Sequence, residues 1–414
     1  MSNKDFKRVD VTIKSKNKDL YNFMNLVPER NKRIKNAPAD PIKEDPMNDL
    51  ADKLHPERQF MIIDEIIDNT KTTKTFKLIP DPESKTETLA YFRAGQYLSL
   101  KVRVNEEIIT RPYSISSSPQ EALEGYYTIT IKKEEDDGFL TPYIWENWEV
   151  GTKVESSGPE GFFYYESLRD NHNVVGLAGG SGITPFLSMA KSIANGTIDA
   201  KLTILYGCSD EEDIIFHNEL TQLEQNHPDK ISLIIVLSCE EVTMKGCETG
   251  FITEELIEKY ADVPNSSFFI CGPQIMYDFV EEQLKKLNIP PKQIRREAFG
   301  EIKNIENYPG FPKDLADETF TLKVHIGNTV KNIPAKSTES VLVAMERANL
   351  APPSKCRSGE CGFCRSLLLK GDVFVSPVSD WRREADKKFG YFHPCSSYPI
   401  TDLELKVPRN IRIK

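Results

Sequence analysis

Four cysteines near the end of the chain place the tightest constraint on how it can fold. Cys356, Cys361 and Cys364 stand in the run Cys-Arg-Ser-Gly-Glu-Cys-Gly-Phe-Cys, and Cys395 follows in Tyr-Phe-His-Pro-Cys. Three thiolates from one tight loop and a fourth from a distant segment can hold two irons bridged by sulfides. Such a loop must bring its backbone close to the metal. Gly359 and Gly362 permit this, because a side chain at either position would stand between amide donors and sulfur.

The C-x4-C-x2-C…C spacing is that of plant-type ferredoxins and points to a 2Fe-2S cluster. A four-cysteine zinc site is the alternative, but zinc favours paired C-x2-C knuckles and has no use for the C-x4-C half. The remaining Cys208, Cys239 and Cys247 read as ordinary small buried residues. Eight cysteines in 414 residues are too sparse for a disulfide scaffold.

A chain of this length needs several cores. With 28% charged residues and no apolar run near the roughly 18 residues a membrane helix requires, it reads as globular without a membrane span. The start, MSNKDFKRVD, lacks the apolar stretch of a signal peptide, which places the protein in the cytoplasm. A net charge of -10 argues against a nucleic-acid binder. Residues 1–36 nevertheless carry 10 Lys and Arg against 4 Asp and Glu. That excess reads as either a solvated leader or a docking arm.

Up to Glu57 the chain is polar, with Pro38, Pro41 and Pro46 in succession, and is expected to be extended apart from a short helix near Met47 to Leu54. From Gln59 the runs FMIIDEII, TFKLIP, YLSLKVRV and YYTITIKK alternate apolar and polar residues and predict a small antiparallel β-barrel. After Asn171 strands alternate with helices, from Val174 to Leu177 through Leu202 to Tyr206 and on to Phe268 to Cys271, predicting a doubly wound α/β domain. Residues 301–317 lack apolar periodicity and read as a linker. The last segment opens with a hairpin, Phe320 to Ile326 and Val330 to Ile333, before a helix from Thr338 to Asn349 capped by Ser337 and faced by Leu342, Met345 and Asn349. The expected division is a leader over 1–57, a barrel over 58–168, an α/β domain over 169–300, the linker, and an α+β domain over 318–414.

Arg111-Pro112-Tyr113-Ser114 joins a cation, an aromatic plane and a hydroxyl at strand spacing. Taken alone it can also be a rim arginine and a core tyrosine. Here the chain resembles the ferredoxin-NADP reductase superfamily, whose flavin motif is Arg-x-Tyr-Ser. The resemblance implies that Arg111 binds a flavin phosphate, Tyr113 packs on the isoalloxazine and Ser114 bonds near N5. Gly138-Phe139-Leu140-Thr141 precedes an apolar stretch, so amides at a helix start there can hold the pyrophosphate of FAD. The family has Gly-x-x-Ser/Thr in that place, followed by a segment like Ser157-Gly-Pro-Glu-Gly161. FMN is the alternative cofactor.

A second phosphate turn, Gly179-Gly180-Ser181-Gly182-Ile-Thr184-Pro185, follows the strand VVGLA and precedes the helix FLSMAKSIA. It departs from the Rossmann Gly-x-Gly-x-x-Gly in its last residue. The same superfamily carries proline there. Cys271-Gly272-Pro273 matches its Cys-Gly-Pro, whose cysteine lies beside the nicotinamide, and Glu297 and Phe299 resemble its closing acidic and aromatic residues. By that resemblance Ser114, Cys271 and Glu297 are the catalytic candidates. Tyr206-Gly-Cys-Ser209-Asp210-Glu-Glu-Asp213 offers no Lys or Arg for a 2′-phosphate. Its four carboxylates favour NADH over NADPH, with Ser209 or Asp210 on the ribose hydroxyl.

The resemblance covers residues 59–407 in the order flavin barrel, nicotinamide domain, β-grasp ferredoxin domain. It implies an NAD(P)H oxidoreductase that passes electrons through flavin and cluster to a partner redox protein. Oxygenases, demethylases, other iron-sulfur enzymes and small redox carriers are the candidate acceptors. An electron-relay subunit of a fixed complex is the other reading, against which the long gap from Cys364 to Cys395 counts.

Overall fold

The structure is a computed structural model that describes residues 16–38, 45–105, 107–133, 140–239, 242–377 and 380–408. They fall into two units, the first ending at Leu50 and the second beginning at Ala51.

In the first unit, α1 (Lys16–Asn36) is a helix where an extended leader was expected. Pro28 lies inside it, where proline costs a helix one hydrogen bond but does not forbid it. Leu20, Phe23, Met24 and Val27 recur at helical spacing, and all are exposed. The next helix, α2 (Pro46–Leu54), lies where a short helix was foreseen. Among the described residues no helix is long and apolar enough to cross a membrane.

The second unit begins with six antiparallel strands: β1 (Gln59–Thr70), β2 (Thr73–Pro80), β3 (Tyr97–Val104), β4 (Glu107–Ser114), β5 (Tyr127–Lys132) and β6 (Lys153–Ser156). Their order is β4-β3-β6-β1-β2-β5. The two edge strands approach through an Ile115–Ile129 bridge and through Ser116 N–H, which donates to Thr128 O at 2.8 Å. Met61, Ile63, Phe76, Leu98 and Ile129 fill the interior with no exposure at all. Two helices accompany this sheet, α3 (Pro119–Leu123), held by a Ser118/Glu121 capping box, and α4 (Leu140–Asn147).

A parallel sheet follows, built from β7 (Asn173–Gly179), β8 (Lys201–Cys208), β9 (Ile231–Leu237), β10 (Glu248–Thr249), β11 (Ser266–Cys271) and β12 (Ile294–Arg296). Helices α5 (Thr184–Ala194), α6 (His217–Asn226), α7 (Glu254–Tyr260) and α8 (Gln274–Lys286) connect its strands. The order β10-β9-β8-β7-β11-β12 reverses direction between β7 and β11. In open α/β sheets the ligand crevice opens at such a switch point, outside the carboxyl ends of the strands.

The last domain contains β13 (Thr319–Ile326), β14 (Thr329–Lys336), α9 (Val341–Arg347), β15 (Ser366–Lys370), β16 (Val373–Phe374), α10 (Glu384–Lys388), β17 (Tyr391–Phe392), β18 (Tyr398–Pro399) and β19 (Leu403–Val407). Its mixed sheet, β14-β13-β19-β15-β17, covers α9 through Leu322, Val324, Leu342, Met345 and Leu405. The cap of α9 is Ser340, which accepts from Val343 N–H at 3.2 Å. Ser337 instead donates to Leu315 O and Ala316 O. Asn349 is exposed in the left-handed region (φ 56) beyond the helix end, so it terminates the helix rather than facing the core. The stretch 301–317 is packed rather than free, because Ile305 and Phe311 join Tyr398 in a small core.

Ser340→Ala is expected to lower the stability of this last domain by about 1 kcal/mol, and Ser337→Ala is not expected to fray α9. Amide exchange at Val343 distinguishes the two, and equal protection in both variants would refute the assignment.

Candidate functional site

The cluster loop lies between α9 and β15, and Cys395 comes from the turn before β18. The sulfurs stand in two pairs, Cys356 Sγ to Cys361 Sγ at 3.2 Å and Cys364 Sγ to Cys395 Sγ at 3.4 Å. Two irons need two thiolates each, and the donors are divided in that way. Cys361 N–H and Phe363 N–H each point at a sulfur at 3.4 Å, on Cys356 and Cys361 respectively. Gly359 (φ 88) and Gly362 (φ 67) both hold left-handed backbone, and His393 Nδ1–H braces the turn by donating to Gly359 O at 2.6 Å. The residues present fit a 2Fe-2S cluster.

Strand β4 supplies the motif of the first nucleotide site. Alternation along the strand places Arg111 and Tyr113 on one face, half-exposed, with Pro112 and Ser114 buried on the other. Arg111 Nη1 donates to Thr110 O at 3.0 Å and stands 3.6 Å from Glu346 Oε2 on α9. Leu140 and Thr141 are buried at the start of α4, whereas Gly138 and Phe139 lie outside the described residues.

The second nucleotide site forms where β7 and β11 part. A Cβ on Gly182 would fall 2.1 Å from Cys271 O, and one on Gly179 would fall 2.4 Å from Met276 Sδ. Gly272 closes the same contact, because its missing Cβ would lie 3.3 Å from Gly179 Cα. The two turns therefore pack backbone against backbone. Gly180 takes φ 51, Ser181 is exposed, Thr184 Oγ1 donates to Ser181 O at 3.0 Å, and Pro185 starts α5. Pro273 takes the N-cap position of α8.

Both sites converge on Glu297. Burial raises the Glu297 pKa well above the usual carboxylate range, with Glu360 adding to the effect and the Ser114 hydroxyl opposing it. The Glu297 Oε2 is buried without a partner, which suits a polar atom that lines a ligand site. Burial likewise raises the Cys271 thiol, with the nearby Glu297 adding to the effect. Tyr277 ties these residues together: its hydroxyl donates to Glu297 O and accepts from Gly272 N–H at 3.3 Å. Phe299 meets Tyr97 edge to face at 5.2 Å. A Cβ on Gly161 (φ 99) would stand 2.9 Å from the Tyr97 ring and 3.2 Å from Glu297 Oε1. The residues fit a flavin between β4 and the nicotinamide turn.

In the turn after β8, Ser209 and Asp210 are exposed, and Asp210 Oδ1 accepts from Asp213 N–H at 3.1 Å. The other carboxylates are engaged. Asp213 pairs with Lys132 at 2.7 Å, Glu212 pairs with Lys71, and Glu211 accepts from Thr243 and Met244 amides. The two lysines come from the flavin domain, which the local sequence could not reveal. Tyr97, Tyr277 and Arg357 were also missed, as none belongs to a motif; only the adjacency of Arg357 to Cys356 hinted at a role.

Fold and site together define a flavin- and nicotinamide-binding electron carrier with its own iron-sulfur domain. Residues 62–165 match the oxidoreductase FAD-binding domain family, 177–282 the oxidoreductase NAD-binding domain and 324–399 the 2Fe-2S iron-sulfur cluster binding domain. The ferredoxin reductase component of 3-ketosteroid-9-alpha-monooxygenase from Mycobacterium tuberculosis is 28% identical over 88% of this chain and 98% of that relative. The glycine betaine monooxygenase reductase subunit of Chromohalobacter salexigens is 26% identical over 83% and 93%. A solved phthalate dioxygenase reductase superposes with a TM-score of 0.61 at 24% identity, covering 85% of this chain and 98% of that one. The chain therefore has an FAD-binding, an NAD-binding and a C-terminal 2Fe-2S domain, in the fold and order expected from its resemblance to the ferredoxin-NADP reductase superfamily.

Two outcomes are expected here. Gly182→Ala, which cannot be built without moving the Cys271 carbonyl, should abolish nicotinamide binding in equilibrium titration while leaving the cluster's absorbance intact. The native state keeps a proton on Glu297 that the unfolded chain gives up above its ordinary pKa, so wild-type stability must fall as pH rises through that range. Glu297→Gln should therefore gain in Tm relative to wild type between pH 4 and pH 8, by analogy with the ordinary glutamate pKa of about 4.3. A pH-independent difference would contradict the neutral acid.

Proposed function

We propose that this protein oxidises NADH and delivers the electrons, one at a time, to the oxygenase component of a two-protein system. Bound flavin accepts a hydride from nicotinamide and parts with single electrons, and a 2Fe-2S cluster carries one electron onward. The observation that carries the reading is the place of Glu297, which Tyr277 ties to the turn after Cys271 and whose carboxyl closes on Gly161 and Tyr97 of the flavin domain.

Each group has a physical task. Arg111 offers a planar guanidinium for a phosphate, and Tyr113 an aromatic face for the ring. The Gly179–Gly182 and Cys271–Pro273 turns present bare backbone to the dinucleotide. Burial favours the protonated form of Glu297, which can donate a hydrogen bond that an ionised carboxylate could not, and Tyr97, Phe299 and Gly161 pack closely beside it. FAD is favoured over FMN by the match to an FAD-binding family. NADH is favoured by the exposed Asp210 and by the absence of any free cation in the described turn, since Lys71 and Lys132 are spent on Glu212 and Asp213. Free thiols throughout suit a reducing compartment, and we assign the protein to the cytoplasm. An oxygenase acceptor rests on the two monooxygenase reductase relatives.

Anaerobic titration tests the reading. NADH is expected to bleach the flavin and cluster bands at stoichiometric addition, NADPH only at concentrations on the order of tenfold higher, and Asp210→Arg should narrow that gap. Protein that leaves both bands unchanged with either nucleotide would overturn the function. Equal response to both would overturn the NADH preference.

A further inference from the structure

Arg357, next to the first cluster ligand, is the largest fully buried side chain of the protein, with 1% of its surface exposed. It also takes left-handed backbone (φ 61), a conformation that a non-glycine residue adopts at a cost. Its Nη1 donates to Glu346 Oε1 on α9 at 2.5 Å and to Thr110 O on β4 at 3.2 Å. Its Nη2 pairs with Glu301, the first residue of the connecting stretch. One guanidinium thus bonds the flavin sheet, the connection and the ferredoxin helix at once. The two residues before Arg357 add to the joint: Lys355 pairs with Glu160 of the flavin domain, and Cys356 O accepts from Gly300 N–H at 3.4 Å.

We propose that Arg357 is the latch that fixes the ferredoxin domain on the flavin barrel, and so a positioning residue for electron passage between them. A planar fork of donors suits this task, because it can serve a carbonyl and two carboxylates in fixed directions, which a lysine ammonium cannot do as well. The carbonyl it uses belongs to Thr110, immediately before Arg111, and Glu346 also lies near Arg111. The latch therefore grips the barrel at the strand that carries the flavin motif. This rests on the reading that β4 and the cysteine loop hold the two redox groups.

The test uses the full-length protein loaded with flavin and cluster, comparing wild type with Arg357→Met, Arg357→Lys and the triple variant R357M/E301Q/E346Q, which removes the cation together with both of its carboxylate partners. Small-angle scattering and limited proteolysis report docking without any turnover. The radius of gyration is expected to rise and cleavage within residues 301–317 to appear in the methionine and triple variants, with lysine intermediate. In Arg357→Met, cluster reduction by NADH should slow on the order of tenfold or more while ferricyanide reduction at the flavin keeps its rate. Scattering and proteolysis unchanged in every variant would overturn the proposal. So would loss of the cluster in all three, which would make Arg357 part of the loop's own fold. A wild-type cluster that ignores NADH would strike the functional reading alone, since the docking measurements do not depend on it.

Discussion

A guanidinium withdrawn from water is costly, with an effective penalty of several kcal/mol, and it is tolerated only where charge and hydrogen bonds are restored. Arg357 meets that demand at both terminal nitrogens with Glu301, Glu346 and Thr110 O, three groups from three different parts of the chain, while its Nε is buried without a partner. None of them satisfies it alone. The position of the cysteine loop relative to the flavin sheet follows from this requirement, and Lys355 with Glu160 reinforces it from the rim.

The same economy of space governs the nucleotide sites. At the switch point between β7 and β11, Gly179, Gly182 and Gly272 let two turns touch through backbone. At the flavin site Gly161 lets Tyr97 and Glu297 close on one another. Burial there favours the protonated form of the carboxyl group, a hydrogen-bond donor where the two sites meet. Binding surfaces made of bare backbone and a dry acid are a consistent design for holding two flat rings in contact.

Much of this was legible in the sequence because it is written in local patterns. The cysteine spacing, the Arg111 to Ser114 strand, the glycine turn before α5 and Cys271-Gly272-Pro273 each declare themselves over fewer than ten residues. Strands such as β1, β3 and β8 were visible as alternating or continuous apolar runs. What escaped depends on tertiary pairing. Lys71 and Lys132 are ordinary surface lysines until the fold brings them to the carboxylates after β8. Tyr277 looks like one aromatic of an amphipathic helix until its hydroxyl reaches Glu297. Ser337 and Ser340 are equally good caps by composition, and only the path of residues 315–316 decides between them. Helix α1 escaped for a different reason, since Pro28 and an unburied apolar stripe resemble neither a core helix nor a plain coil.

The central claim is that one chain brings nicotinamide turn, flavin strand and cysteine loop into a single fixed arrangement. Anaerobic rapid mixing with excess NADH, repeated over a wide range of protein concentration, tests it most directly. The rate constant for bleaching of the cluster band is expected to be independent of protein concentration, because donor and acceptor sites belong to the same packed molecule. A rate constant that grows in proportion to concentration would mean that electrons reach the cluster by collision between molecules, and would contradict the account.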